Sequence, residues 1–290
     1  MSATSLTWGG RSVPGPGGLP AVAVSLTGPS LAQARTQARS AVDAGADVLE
    51  LRVDLLEEAG ALAAPDPLDA AAAAAQVLEC LRRLGEAIAA DGADAVAGAP
   101  VLLTCRTAAE GGRAQLDDAS YGALLRSVLD GLADWAPERR PAAIDVEVQR
   151  GCLPQVCEQA HALGIDVVAS FHDFEATPAD EVLEEVLARM AREGADLAKI
   201  AVWPTSADDV ARLLGVCARA TAGAGARSGL GVPVAAMSMG ALGAVSRVAP
   251  TFGSALTFAV VPDEQGQARA SAPGQLPIQD VRRCLELLRV

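Results

Sequence analysis

The chain has 290 residues, 51% of them hydrophobic, enough for two ordinary domains or for one α/β barrel of about 250 residues. A net charge of −13 with only 3% aromatic residues argues against a phosphate-tracking surface or base-stacking platforms, so nucleic acid is not an expected partner. No apolar run reaches the roughly 18 residues of a membrane span, and residues 1–20 lack the charged start and apolar middle of an export signal; a cytoplasmic protein without membrane partners is expected.

In chain order, SLTWGGRSVP (5–14) reads as two short strands around a two-glycine turn, a hairpin expected to plug the bottom of a barrel. GPGGLP (15–20) is then a linker. Beyond it, short β-branched runs alternate with Ala/Leu/Arg/Glu patterns. Strands are predicted over 21–28, 48–55, 101–107, 142–149, 166–174, 197–203, 232–239 and 254–261, and helices over 30–45, 66–91, 118–134, 153–163, 178–193, 206–221, 240–247 and 277–289. Eight strand–helix repeats with crossover-length connections predict a (β/α)8 TIM barrel, one domain spanning 1–290. The competing doubly wound sheet lacks a G-x-G-x-x-G turn after its first strand. The alanine-rich 57–99 and glycine-rich 220–231 are longer than a crossover needs and read as surface insertions remote from chemistry. The six cysteines form no C-x-x-C pair and only two histidines could assist them, so the thiols are expected to be reduced and buried, and no metal is expected.

Strand side chains alternate faces, so in ELRVD the charged Glu50, Arg52 and Asp54 share one face and Leu51 and Val53 the other. In a barrel the apolar face meets the helices and the charges point inward, where unpaired burial costs several kcal/mol each. The pattern recurs with Thr104 and Arg106 about Cys105, Asp145 and Glu147 about Val146, and Ser170 and His172 about Phe171. Four strands with polar residues at matching ends predict a site at the C-terminal mouth. His172 stands at a strand end and suits acid–base work, whereas His161 falls in a helical pattern and is expected to be solvated.

Lys199, in the apolar run DLAKIAVWP, is the only lysine of the chain against 22 arginines. An arginine would serve a structural ion pair better, but an amine can lose its proton when buried, attack a carbonyl and form an imine. Lys199 therefore reads as a Schiff-base lysine, with a buried salt bridge to Asp or Glu as the alternative. Arg247, beyond the seventh strand, is placed to fork onto a carboxylate. The loop 263–276, which carries Ser271 and Gln275, is a candidate lid, or else an ordinary surface loop.

With ELRVDLL, LTCRTAAEGG, SFHDFEATP, AKIAVWP, MSMGALGAVSR and ASAPGQ in this order, the chain resembles the type I 3-dehydroquinate dehydratases over essentially its whole length. The resemblance implies a (β/α)8 barrel, commonly a homodimer, that dehydrates 3-dehydroquinate to 3-dehydroshikimate by syn elimination in the shikimate pathway, without cofactor or metal. By motif, Lys199 would form the imine, His172 would be the acid–base group and Glu110 would orient it or set its charge. Arg247 would hold the substrate carboxylate. Glu50, Arg52, Arg106, Ser271 and Gln275 would bind ring hydroxyls or shape the pocket, and Ser25, Phe174, Met239 and Phe258 would form secondary walls. Two alternatives remain: a class I aldolase-type barrel, although SAPGQ does not resemble a phosphate loop, and a catalytically silent binding protein on the same scaffold.

Overall fold

The computed structural model describes residues 5–63, 69–90, 99–222, 229–262 and 269–289. The hairpin forms as expected: β1 (Leu6–Trp8) pairs antiparallel with β2 (Arg11–Val13) across Gly9 and Gly10, whose φ of 52° and 77° are the left-handed values that a two-residue turn of this hand requires. Eight parallel strands follow: β3 (Ala21–Leu26), β4 (Val48–Arg52), β5 (Val101–Thr104), β6 (Ala143–Glu147), β7 (Asp166–Asp173), β8 (Leu197–Val202), β9 (Val234–Ser238) and β10 (Leu256–Ala259). They lie in the order β10-β3-β4-β5-β6-β7-β8-β9, and the two ends meet where the Ala255 N–H donates to the Val234 carbonyl at 2.7 Å. The result is the expected barrel.

Seven α-helices are described, α1 (Leu31–Asp43), α2 (Ala70–Ala90), α3 (Asp118–Leu132), α4 (Leu153–Ala162), α5 (Asp180–Arg192), α6 (Ala207–Thr221) and α7 (Ile278–Leu287). Their starts are set by local chemistry. Asp117 caps α3 by accepting from the Ser120 N–H at 2.7 Å, and Ser206 with Asp209 forms a reciprocal capping box on α6.

Two expectations need correction. No α-helix forms over 240–247; after β9 the chain makes two short 3₁₀ turns, Ala244–Val248 and Pro250–Phe252. Gly240 (φ 69°) turns the chain there, Ser246 Oγ bonds back to the Gly243 carbonyl at 2.7 Å, and Pro250 has no N–H to continue a helix. Nor is 57–99 only a surface insertion. Within it, α2 is the crossover helix between β4 and β5 and buries Ala73, Val77, Cys80, Leu81 and Leu84 against the core. Residues 64–68 and 91–98 of that stretch, and 223–228 of the glycine-rich one, lie outside the described residues.

The period-2 pattern sorts the core into two layers. Leu49, Leu51, Val53, Leu103, Ile144 and Val146 face the helices. Val48, Leu102, Ala143, Val168, Leu197 and Leu256 fill the barrel, and Trp8 and Val13 of the hairpin join that inner cluster. Trp8 is 1% exposed, and its indole N–H donates to Asp166 Oδ2 at 2.8 Å, at the start of β7. The hairpin is thus the floor of the barrel.

Trp8→Ala should lower the unfolding free energy by about 3–5 kcal/mol, the usual loss for a buried tryptophan. Denaturant unfolding measures this; a loss under 1 kcal/mol would mean that the hairpin does not close the core.

Candidate active site

Above the apolar layer, the inward positions change character. Ser25, Glu50, Arg52, Thr104, Arg106, Asp145, Glu147, Ser170 and Lys199 are all buried, and the register sets them side by side: Ser25 beside Glu50, Arg52 beside Thr104, Glu147 beside Ser170, and Ser170 beside Lys199. Four of them, Glu50, Arg52, Arg106 and Lys199, line a pocket at the C-terminal mouth, whose wall also includes Glu110, His172, Phe174, Met237, Arg247, Phe258, Ser271 and Gln275; the others lie behind that wall.

Buried charges on this scale need partners. Arg106 is the main one. Its guanidinium donates to Asp145 Oδ1 at 2.8 Å, Ser170 Oγ at 2.8 Å and Glu147 Oε1 at 3.2 Å, and it stands 3.5 Å from Glu110 Oε2. Arg52 forks onto Asp54 with two bonds of 2.8 Å. Burial alone would lower the Arg52 pKa, but the Asp54 bond and charge raise it. Asp54 does not continue the strand: β4 ends at Arg52, and a 3₁₀ turn, Val53–Leu55, brings the carboxylate back to accept from Arg52 and from the Arg106 N–H at 3.1 Å.

Glu110 reaches the pocket because the chain after β5 folds into a tight loop. A 3₁₀ turn, Ala108–Glu110, ends at Gly111 (φ 79°), and the Gly112 N–H returns to the Thr107 carbonyl at 2.8 Å. A Cβ at residue 112 would lie 2.1 Å from the Arg106 carbonyl oxygen, so this glycine is a steric requirement. Glu147 anchors the loop by accepting from both the N–H and the hydroxyl of Thr107, at 2.8 and 2.7 Å.

His172 Nδ1 lies 2.8 Å from Glu110 Oε2. Burial holds the imidazole well below its ordinary pKa, and the positive charges of Arg106, Lys199 and Arg52 lower it further. Burial pushes the Glu110 carboxyl up to about 8, with Arg106 opposing and Glu147 and Asp145 adding to the rise. Both directions favour an uncharged pair. With Glu110 protonated, its O–H donates to Nδ1 and Nε2 carries the ring hydrogen. With Glu110 ionised, Nδ1–H donates to Oε2 and Nε2 is a free acceptor.

Lys199 Nζ stands 3.5 Å from Asp145 Oδ2, 3.8 Å from Glu50 Oε1 and 4.5 Å above the Phe258 ring. Burial lowers its pKa, although the two carboxylates pull the other way. Arg247, 2% exposed, differs from the other guanidiniums of the pocket: it has no carboxylate partner among the described residues. It donates to the carbonyls of Pro273 (3.1 Å) and Phe258 (3.5 Å), its Nε has no partner, and burial pulls it down to about 10. A buried cation with an unused donor facing a pocket is suited to an anion.

Of the predicted loop 263–276, residues 263–268 lie outside the described residues. The remainder lies against the mouth. Ser271 Oγ donates to Ser25 Oγ at 2.8 Å, Ser25 donates to Glu50 in a short bond, Gln275 bonds Ser271 twice, and the Gly240 N–H donates to the Pro273 carbonyl at 3.0 Å.

Every predicted site residue except Met239 lines the pocket or bonds a residue that does. Met239 is fully buried just after β9, and the methionine in the pocket wall is Met237, whose sulfur lies 3.7 Å from Arg247 Nη1. Met237 and Met239 have the same parity, so alternation does not separate them; β9 ends at Ser238, and Met239 lies beyond the strand whose inward face carries Ala235 and Met237. Glu50, Arg52, Arg106, Asp145, Glu147 and His172 come together at the mouth as the alternation implied, and His161 sits apart, 43% exposed and paired with Asp196.

Residues 22–290 match the family model described as type I 3-dehydroquinase. A 3-dehydroquinate dehydratase of Klebsiella pneumoniae is 36% identical over 271 residues, 92% of either chain. Among solved structures, the chain is similar to 3-dehydroquinate dehydratase from Geobacillus kaustophilus (TM-score 0.78, 28% identity, 99% of this chain and 96% of that one). It is equally similar to a type I 3-dehydroquinate dehydratase from Clostridium difficile with covalently modified comenic acid (TM-score 0.79, 27% identity, 99% of each chain).

The His172–Glu110 geometry predicts a particular titration. At pH 6, below the ordinary imidazole pKa of about 6.5, the ¹⁵N shifts of the His172 ring should still be those of a neutral imidazole. As the pH rises through about 8, the ring hydrogen should move from Nε2 to Nδ1 as Glu110 ionises. A cationic His172 at pH 6 would contradict the uncharged pair.

Proposed function

The chain belongs to the type I 3-dehydroquinase family and is a hydro-lyase of that kind, and from this premise we propose that it dehydrates 3-dehydroquinate through an imine on Lys199, with His172 moving the protons. The observation that carries this reading is the single lysine of the chain, its amine buried in the pocket wall where burial lowers its pKa. A neutral amine there can add to the substrate ketone; the N–C bond forms and the carbonyl oxygen leaves as water.

The protonated imine withdraws electrons from the neighbouring carbon, whose C–H becomes acidic. His172 Nε2 takes that proton in the tautomer with Nδ1–H on Glu110, and the electron pair moves into the imine to give an enamine. Collapse of the enamine expels the hydroxyl one carbon further on, and the imidazolium returns the proton to it as water. One imidazole serves both transfers if the proton and the hydroxyl leave from the same face, which fits syn elimination. Hydrolysis of the conjugated imine then frees product and restores the amine.

The other groups bind. Arg247, with an unused buried donor and no carboxylate partner among the described residues, takes the substrate carboxylate, while Arg52 and Arg106 are held by acids and shape the pocket. Glu50, Ser25, Ser271 and Gln275 form one hydrogen-bonded chain suited to ring hydroxyls, Phe174 stacks on His172 (centroids 6.4 Å apart), and residues 269–276 cover the mouth as a lid would.

Borohydride added during turnover should inactivate the enzyme and leave one reduced adduct per chain, mapped to Lys199, and borohydride alone should not. Lys199→Arg should abolish adduct and activity while leaving the fold intact, since a guanidinium forms no imine. Full activity with arginine at 199 would end the imine mechanism.

His172→Ala should still form the adduct but lose turnover by more than the ~10²–10⁴ assigned to one acid–base step, because the ring serves two. Near-normal turnover in that variant would remove histidine from the chemistry.

A further inference from the structure

Behind the pocket wall, beside Lys199, a fully buried carboxylate has an oxygen with no hydrogen-bond partner among the described residues. Asp145 Oδ1 accepts from Arg106 at 2.8 Å and from Ser170 at 2.8 Å, while Oδ2, fully buried, has no hydrogen-bond partner. Its nearest cation is Lys199 Nζ, 3.5 Å away, longer than the roughly 2.7–2.9 Å of a charge-assisted bond. A buried orphan acceptor at that distance is an incomplete interaction, and such an atom calls for an explanation. The other acid near Lys199 is farther and has a donor on each oxygen: Glu50, 3.8 Å away, accepts from Thr104 on Oε1 and from Ser25 on Oε2.

Resting on the imine mechanism above, we propose that Asp145 is a positioning residue for Lys199 whose free Oδ2 accepts the single N–H of the protonated imine and so keeps that imine charged. The groups that bear on the nitrogen make this necessary. Arg106 and Arg52 disfavour positive charge there and His172 is a further basic neighbour, whereas only Asp145 and Glu50 favour it. An ammonium has three N–H groups and can share them among neighbours, but a protonated imine has one, and Oδ2 is the nearer carboxylate oxygen, at 3.5 Å against 3.8 Å for Glu50 Oε1, and the one with no donor of its own. With Oδ1 fixed by Arg106 and Ser170, the carboxylate cannot turn away, so the same contact also sets the plane of the C=N bond. No atom is transferred to Asp145; it acts by charge and direction.

The test is the pH dependence of trapping. Wild type and Asp145→Asn are incubated with 3-dehydroquinate and cyanoborohydride, which reduces the cationic imine, from pH 6 to 10, and the adduct is read by intact mass. Asparagine keeps the shape and still accepts from Arg106 and Ser170. Loss of an opposite charge at this range should move the high-pH limit of trapping down by roughly one to three pH units, with a fall in kcat that exceeds any rise in KM. Glu50→Gln should move it less. Asp145→Ser removes the same carboxylate with a smaller side chain and supplies the reading if the Asn variant does not fold. Coincident pH limits in wild type and variant, or a larger shift in Glu50→Gln, overturn the inference while leaving the Lys199 imine in place. Absence of an adduct in the wild type overturns both.

Discussion

The mouth of this barrel depends on one guanidinium. Arg106 holds Asp145, Glu147 and Ser170 by direct hydrogen bonds from three neighbouring directions, and stands within ion-pair distance of Glu110. Without it, acids on β6 and on the loop after β5 would share a dry space, and each would gain a proton rather than stay ionised. With it, Asp145 sits below its ordinary pKa despite complete burial, so that Lys199 faces a true carboxylate. The same positive charge helps keep His172 neutral, the state a base needs.

Such a cluster can be afforded only because the rest of the barrel is conventional. The inward positions below it are Val, Leu and Ala, closed underneath by Trp8, and the outward positions pack uniformly on the helices. Burial of polar groups is confined to one end, where strand termini give way to loops that can turn a backbone N–H or a carboxylate toward the site. Asp54 and Glu110 arrive in this way, each from a 3₁₀ turn beyond a strand, and both meet Arg106.

The division between these two regions explains what could be read from the sequence. Strand alternation placed Glu50, Arg52, Thr104, Asp145, Glu147 and Ser170 correctly inside the barrel, because a period of two is fixed by backbone geometry and the outer face is reliably apolar. Lys199 stood out by composition alone. What alternation could not supply was anything after a strand end: Asp54 leaves the strand, Met237 rather than Met239 faces the pocket, and the expected helix at 240–247 gives way to turns held by Gly240 and Ser246. Glu110 was accessible only by motif, since its approach to His172 depends on two glycines and on the bonds of Thr107 to Glu147.

Arg247 and Lys199 show the same economy from opposite sides. Arg247 is buried with no acid opposite it among the described residues and carries an unused Nε, an electrostatic cost that an anion would relieve. Lys199 is buried between two acids and two arginines, and burial, helped by the arginines and opposed by the acids, lowers its pKa, so that its amine gives up a proton more readily than an exposed lysine does. Exchanging the two would fail on both counts: a guanidinium among the acids would be permanently charged, and an amine at 247 would shed its proton instead of waiting for an anion. The distribution of arginine at 22 positions and lysine at one therefore follows from which site must hold a charge and which must be able to give it up.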